Sequence, residues 1–238
     1  MSAPSASLFW PPRSITAAGI IGISALLLFS ACATGGGHGG PGARVDSRFK
    51  GADFSSFSAI AVLDFHETAA PGADSGPDFC QSEGLTFNHG PVQGGAGESV
   101  ADLVYTRMAQ AGYPMMEREK GMEALPEMGP MDLAKATDIA QSLGADALVM
   151  GCVARFEDLQ GSRMSAEKPA YVSFGVVVFD RTKGRVVWAG KFEKMQKSLF
   201  EDLFQWRIFF KGGMAWQSAD KLSGVGADFL VDMMPPAR

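Results

Sequence analysis

Two runs of alternating residues constrain the fold of this chain more than any other feature. Val172, Phe174, Val176 and Val178 alternate with Ser173, Gly175, Val177 and Phe179. After the stretch Asp180-Arg181-Thr182-Lys183-Gly184, Val186, Trp188, Gly190 and Phe192 alternate with Arg185, Val187, Ala189 and Lys191. A period of two sends each set to one face of a strand, and a glycine closing the turn supplies positive φ. The segment predicts an antiparallel hairpin with one face drier than the other.

The remaining elements are read from the same kind of pattern. Ala59–Phe65 and Asp146–Val153 are continuous apolar runs, which predict buried strands. Glu98–Ala111 places Val100, Leu103, Val104, Met108 and Ala111 on one helical face, with acidic Glu98 and Asp102 near its start and Gly112 as its stop. Tyr113–Glu117 predicts a short strand, at an edge or a strand start because of Pro114. Asp132–Leu143 predicts a second helix with Leu133, Ala136, Ile139, Ala140 and Leu143 as its stripe, ended by Gly144. Glu157–Lys168 reads as a polar turn, and Ser198–Met234 as a helical tail broken at Gly212-Gly213. His66–Gly97, rich in Gly, Pro, Asp and Ser, predicts a long mobile loop. The order is strand, helix, strand, helix, strand, hairpin, helix. It implies an α/β fold: a single domain with a mixed sheet of about five strands, helices packed on it and a carboxy-terminal helix.

The chain has 238 residues, enough for one such domain plus export and linker segments. With 21 basic and 26 acidic side chains its net charge is -5, which argues against charge-driven binding to nucleic acid or to anionic lipid. Arg13 precedes an uncharged apolar stretch, Ile15–Phe29, that is short for a membrane span but suits the apolar region of a signal peptide. The stretch ends in Leu28-Phe29-Ser30-Ala31-Cys32, which resembles the lipobox of bacterial lipoproteins, with Phe29 where Leu is usual. That resemblance implies cleavage between Ala31 and Cys32 and lipid on Cys32. Several acyl chains anchor a protein stably where one does so only marginally. Ala33 lacks the Asp that, in enterobacterial relatives, retains lipoproteins at the inner membrane. The implied location is the outer membrane, with the domain facing the periplasm. A plain signal peptide or a signal anchor, with Cys32 incidental, is the alternative. The expected layout is a signal peptide over 1–31, a lipidated cysteine and Gly-rich tether over 32–50, and a periplasmic domain over 51–238. His38 is a polar spacer in the tether. Cys80 and Cys152 then remain in an oxidising compartment, where either a disulfide or a buried free Cys152 is compatible with the sequence.

Four segments in order resemble a known family: Ile60-Ala61-Val62-Leu63-Asp64-Phe65, Gly112–Glu119 with its Glu117-Arg118, Leu143-Gly144-Ala145-Asp146 with the strand to Gly151, and Phe179–Trp188 with Asp180-Arg181-Thr182-Lys183-Gly184. They look like the periplasmic α/β domain shared by the curli secretion channel lipoprotein, the lipoprotein activators of penicillin-binding proteins, and the amino-terminal domain of the Tol-system propeller protein. Lys183 between Thr182 and Gly184 departs from the family's Asp-x-x-Thr-Gly turn. The resemblance covers about residues 59–192, its motifs are structural, and it implies docking to envelope proteins or ring formation rather than chemistry.

Motifs for chemistry are incomplete. His66-Glu67 lacks the second histidine of a His-Glu-x-x-His helix, since Ala70 stands there. Cys80 and His89 offer two ligands, too few for a structural metal site. Gly94-Gly95-Ala96-Gly97 lacks the Lys-Ser/Thr of a phosphate loop and reads as a hinge. There is no Gly-x-Ser-x-Gly elbow for His66 or His89 to serve. Asp64 at a strand end is expected to cap the turn into the loop. No catalytic residue, metal or cofactor is assigned. Phe204, Trp206, Phe209 and Phe210 exceed what one core face needs, and form either a helix closing the core on both sides or an exposed patch for a partner or the membrane surface.

The expected function is a non-enzymatic envelope lipoprotein, held to the membrane through Cys32, that docks to and regulates or recruits a partner complex. The alternative is a ring-forming subunit of an outer-membrane secretion or assembly apparatus. A channel needs membrane hairpins of about ten alternating residues per strand. Neither His66–Gly97 nor Glu157–Lys168 supplies them.

Overall fold

The computed structural model describes residues 43–45, 52–68, 79–123, 131–162, 165–195 and 217–237, all within the compact unit Gly37–Arg238. Its centre is the predicted hairpin: β7 (Tyr171–Asp180) and β8 (Arg185–Met195) pair antiparallel from Tyr171 opposite Met195 to Asp180 opposite Arg185. Gly184 sits at φ 61° to close the turn. β4 (Ala147–Glu157) lies on the other side of β7, antiparallel, with Ala147 opposite Asp180 and Glu157 opposite Tyr171. It runs past the predicted end at Val153 because Ala154 and Phe156 also face the core.

The position beyond β4 is filled piecewise. β2 (Ile60–Val62) pairs parallel with Ala147–Val149, and β3 (His66–Glu67) with Cys152–Val153. Val92 then bridges Phe156. The sheet is thus six-stranded by segments, but its strands occupy five positions. Met115 bridges Ile60 outside β2, where Pro114 had pointed to an edge. At the far edge, β1 (Ala43–Val45) pairs antiparallel with Phe192–Gly190. This corrects the tether: residues read as spacer because of their glycine-rich neighbours contribute an edge strand, since β8 offers an open row of backbone groups there.

Helices cover both faces of the sheet. α2 (Ala96–Gln110) buries Val100, Ala101, Val104 and Met108 on one face, beside α5 (Ala219–Asp232), which buries Leu222, Ala227 and Leu230. Between them and the sheet lie Phe174, Phe192 and Trp188, each essentially removed from water. Burying one such side chain is worth about 1.5–3 kcal/mol. Of the predicted α2 stripe, Ala111 is exposed and stands as the C-cap. The opposite face holds α1 (Phe79–Ser82) and α4 (Leu133–Leu143), packed over Leu63, Leu148, Met150, Val177 and Phe179. Asp132 caps α4 by accepting from the Lys135 amide, and Gly144 ends it at φ 70°. Leu133, expected in the α4 stripe, is exposed at the first helical position. α3 (Arg118–Glu123) abuts β2 and was not anticipated.

Two further expectations change. Glu157–Lys168 is a two-stranded ribbon, β5 (Gln160–Ser162) with β6 (Ser165–Lys168), rather than a turn. His66–Gly97 does not form a mobile loop over its described residues, which carry β3, α1 and a segment laid along β4. The signal segment, Ala31, Cys32, His38 and the tail residues Phe204, Trp206, Phe209 and Phe210 lie outside the described residues.

Candidate functional surface

The charged residues of the sequence motifs fall at junctions between elements. Arg118, buried at the start of α3, donates through Nε to Asp102 of α2 at 2.8 Å and through Nη1 to the Val62 carbonyl at 3.0 Å. Its Nη2 pairs with Asp64 at the end of β2. Asp64 is therefore the partner of a buried guanidinium rather than a turn cap. A fixed planar fork with several donors can serve all these acceptors at once, which a lysine cannot. Asp146 accepts from both the backbone and the hydroxyl of Ser58, at 2.9 and 2.6 Å, and faces Arg181 at 3.4 Å. The Ser58 side-chain and backbone hydrogen bonds lead in holding its carboxyl below the ordinary aspartate range. Asp180 accepts from the Lys183 amide and pairs with the Lys183 ammonium, closing the β7–β8 turn around the extra Lys.

The glycines before α2 also have a structural explanation. Glu67 of β3 accepts from the Gly97 amide at 3.0 Å. The anion-favouring end of α2 is thus already filled by the protein's own carboxylate. Gly97 itself is required, because a Cβ there would run into the Phe65 carbonyl oxygen. Asp158 plays a similar part for α5, accepting from the Ala219 amide at 2.9 Å, alongside the Ser218 cap.

Residues 79–93 form a strap over the polar half of one sheet face. Its root is a disulfide between Cys80 and Cys152, with Cα atoms 6.2 Å apart. The structure thus decides between the two cysteine states the sequence allowed, and it removes Cys80 as a metal ligand beside His89. Beyond the disulfide, Gly90 N donates to the Ala154 carbonyl, and Phe156 N to Pro91. Phe87 and Leu85 cross Gly175, where any Cβ would collide with them. Lys191 Nζ donates to the Thr86 carbonyl at 2.6 Å. Asn88 donates to Glu193, which also accepts from the Tyr171 hydroxyl at 2.9 Å. Burial works to raise the Glu193 carboxyl, but hydrogen bonds from Asn88, Tyr171 and Lys191 outweigh it and leave it lowered. Burial, then the hydrogen bond to Glu193, raises the Tyr171 phenol, and Arg155 stacks over its ring at 4.2 Å.

The histidine of the strap is engaged on both nitrogens. His89 Nδ1 lies 3.2 Å from Thr68 Oγ1, and Nε2 lies 3.2 Å from Gln81 Nε2. Thr68 Oγ1 also donates to the Val153 carbonyl at 3.3 Å. One tautomer satisfies all three contacts: Nδ1–H donates to Thr68, and Nε2 accepts from Gln81. The Thr68 proton is committed to a carbonyl, so the pair is not arranged as nucleophile and base. His66 is exposed, and Glu67 is occupied by α2.

Sequence reasoning missed the Glu193 network and the Arg118 junction. A signal for the first was present. On one face of the hairpin Val177, Phe179 and Ala189 give way along the strands to Ser173, Gly175 and Lys191, so the wetter end of that face was written in the alternation.

These features define a three-layer α/β domain whose motif charges hold the scaffold and whose strap is locked by a disulfide. Among solved structures the chain is similar to the PelC dodecamer from Paraburkholderia phytofirmans, at 14% identity and TM-score 0.48 over 82% of this chain and 98% of that one. It is also similar to the LpoB C-terminal domain from Escherichia coli, at 14% identity and TM-score 0.38 over 63% and 92%. A third is lipoprotein GNA1162 from Neisseria meningitidis, at 15% identity and TM-score 0.37 over 63% and 94%. No family model and no curated protein matches the chain.

Proposed function

We propose that this chain is a non-enzymatic envelope lipoprotein, anchored in the outer membrane through Cys32, whose periplasmic domain docks to and regulates or recruits a partner protein complex. The observation that carries the reading is the Cys80–Cys152 disulfide, buried between α1 and β4. Such a bond belongs to an oxidising compartment. That is where the signal segment and the lipobox-like Ser30-Ala31-Cys32 direct the chain. The engagement of Asp64, Arg118, Asp146 and Asp180 in the scaffold supports a binding role over catalysis.

Intact-mass analysis of the mature protein tests the anchor. A chain beginning at Cys32 with a diacylglyceryl thioether is expected, and Cys32→Ser should move the protein to the soluble fraction. Light scattering of a lipid-free chain beginning at Ala43, which keeps β1, tests the docking role. A monomer or dimer is expected. A large closed ring would replace this reading with the ring-forming alternative.

A further inference from the structure

In the closed fold the Cys80–Cys152 bond is out of reach of a reductant. Cys80 is fully buried and Cys152 is 2% exposed. Cys152 stands opposite Gly175 on the neighbouring strand. A Cβ on Gly175 would lie 2.6 Å from the Phe87 ring and 2.9 Å from Leu85, so these two strap side chains cover the flank of the bond. Thiol–disulfide exchange requires a thiolate to reach a sulfur. Either the whole domain unfolds first, or the strap alone lifts.

The contacts that hold the strap differ in kind from those that hold the domain. Among the described side chains of residues 79–93, the buried apolar ones are Phe79, Cys80 and Leu85, all at the root. Beyond Leu85 the ties are polar. Lys191 donates to the Thr86 carbonyl, Asn88 donates to Glu193, and His89 holds Gln81 and Thr68 through its two ring nitrogens. Two backbone bonds to β4 complete the set, Gly90 N to the Ala154 carbonyl and Phe156 N to the Pro91 carbonyl. Thr86 and Asn88 are exposed, and Lys191 and Glu193 are half-buried. The other face of the sheet is closed instead by α2 and α5 over Phe174, Trp188 and Phe192, all dry. A segment with few buried apolar contacts and exposed hydrogen bonds opens at far lower free energy than the whole domain.

We propose that residues 84–93 are a lid that lifts without unfolding the domain, and that the disulfide beneath it is a gated site of thiol–disulfide exchange with a dithiol protein. A thiolate of the reductant attacks Cys80 Sγ, the sulfur on the strap side. A mixed disulfide forms, and Cys152 leaves as a thiolate and takes up a proton. The reductant's second thiol attacks the mixed disulfide and departs with its own disulfide, while Cys80 leaves as a thiolate and takes up a proton. Two electrons pass from the dithiol to the cysteine pair, and the dithiol's two protons end on Cys80 and Cys152. Reduction leaves the strap without its covalent root. On the docking reading above, that loosens a face offered to the partner. Cys32 takes no part, so the gate is independent of the anchor.

The test uses the mature-length chain carrying Cys32→Ser, with excess dithiothreitol as the dithiol under native conditions. Reduction is followed by alkylation and intact mass. Lys191→Met removes the ammonium that holds the Thr86 carbonyl and Glu193. Leu230→Ala hollows the opposite face, where Leu230 is fully buried. Lys191→Met should be reduced several-fold faster than the parent. Leu230→Ala should stay within about twofold of the parent rate although its urea midpoint falls. In the parent, the logarithm of the rate should rise with urea at a slope well under the equilibrium m-value. Acceleration of Leu230→Ala by more than about tenfold, or a slope equal to the full m-value, overturns the lid, because the bond is then reached only through global unfolding. Equal rates in the parent and Lys191→Met overturn it too. The urea slope of the parent decides alone should Leu230→Ala fail to fold. No partner enters these readouts, so the docking reading stands or falls separately.

Discussion

Removing the Cys80–Cys152 bond is the perturbation whose size the structure fixes best. The bond closes a loop of sequence separation 72. Taking about 2.1 cal/mol/K plus 1.5R ln 72 for the closure entropy gives about 15 cal/mol/K, or about 4.4 kcal/mol at 25 °C. Both cysteines are buried, so replacing them by alanine adds a small packing loss of the same sign. Domains of this kind have about 5–15 kcal/mol of total stability, so the double variant Cys80→Ala/Cys152→Ala should fold but be marginal. At about 2–4 °C per kcal/mol for a chain of this size, its Tm should fall by about 9–18 °C. The assay is urea unfolding followed by circular dichroism, in a mature-length chain carrying Cys32→Ser so that no third thiol intervenes. The uncrosslinked denatured state exposes more surface, so the m-value should rise as the midpoint falls. A loss under about 1 kcal/mol, or an unchanged m-value, would refute the reasoning, because the bond would then not restrain the unfolded chain.

Gly97→Ala should destabilise the domain by more than about 2 kcal/mol, opposite in sign to the gain of about 1 kcal/mol that Ala brings in an unobstructed helix, because its Cβ meets the Phe65 carbonyl; chemical denaturation measures it. Arg118→Met should cost about 3 kcal/mol by leaving Asp64 and the Val62 carbonyl without their donor, and Arg118→Lys should recover only part of this in the same assay. Asp146 has its folded pKa lowered below 3.8 by Ser58, so its contribution to stability is present above that value and is lost as pH falls below it through the folded pKa. In acid titration of stability, Asp146→Asn should flatten that part of the curve. Glu67→Gln should weaken the α2 terminus by about 0.5–1 kcal/mol, seen as faster amide exchange at Gly97.

The architecture was legible where periodicity was strong and local. The β7–β8 hairpin, α4 with Asp132 and Gly144 at its ends, and the buried run into β4 follow from spacing alone. What escaped depends on partners distant in sequence. β1 has three residues and no pattern of its own; it is a strand because β8 leaves an edge open. The strap looked mobile because its glycines and prolines were read without the anchors that hold it: Cys152 lies 72 residues away, and Glu193 lies 105 residues from Asn88. The aromatic tail residues and Cys32 lie outside the described residues, so their reading still rests on sequence.

The placement of the motif charges explains why the sequence resemblance reaches the fold more readily than the role. Asp64, Arg118 and Asp102 tie β2, α3 and α2 together at one point. Asp146, Ser58 and Arg181 tie the start of β4 to the approach to β2 and to the hairpin turn. Arg118 serves the Val62 carbonyl and Asp146 serves the Ser58 amide, so each cluster also satisfies a backbone group where elements meet, and its side chains hold the scaffold in this chain. Side chains spent on holding the ends of strands are not available to read a partner. Under the proposed docking role, specificity comes from parts that the motifs do not fix: the strap over Gly175 and the outer faces of α2, α4 and α5. In this chain the strap is tied at its root by the disulfide and farther along by the bonds of Thr86, Gly90 and Pro91 to Lys191, Ala154 and Phe156. A rigid surface binds with less loss of conformational freedom than a mobile loop, so substitutions at exposed strap positions such as Thr86 and Pro91 should alter partner affinity with little effect on the unfolding midpoint. Pull-down from envelope extracts alongside urea titration separates the two, and a strap variant that lowers both together would return the strap to the scaffold.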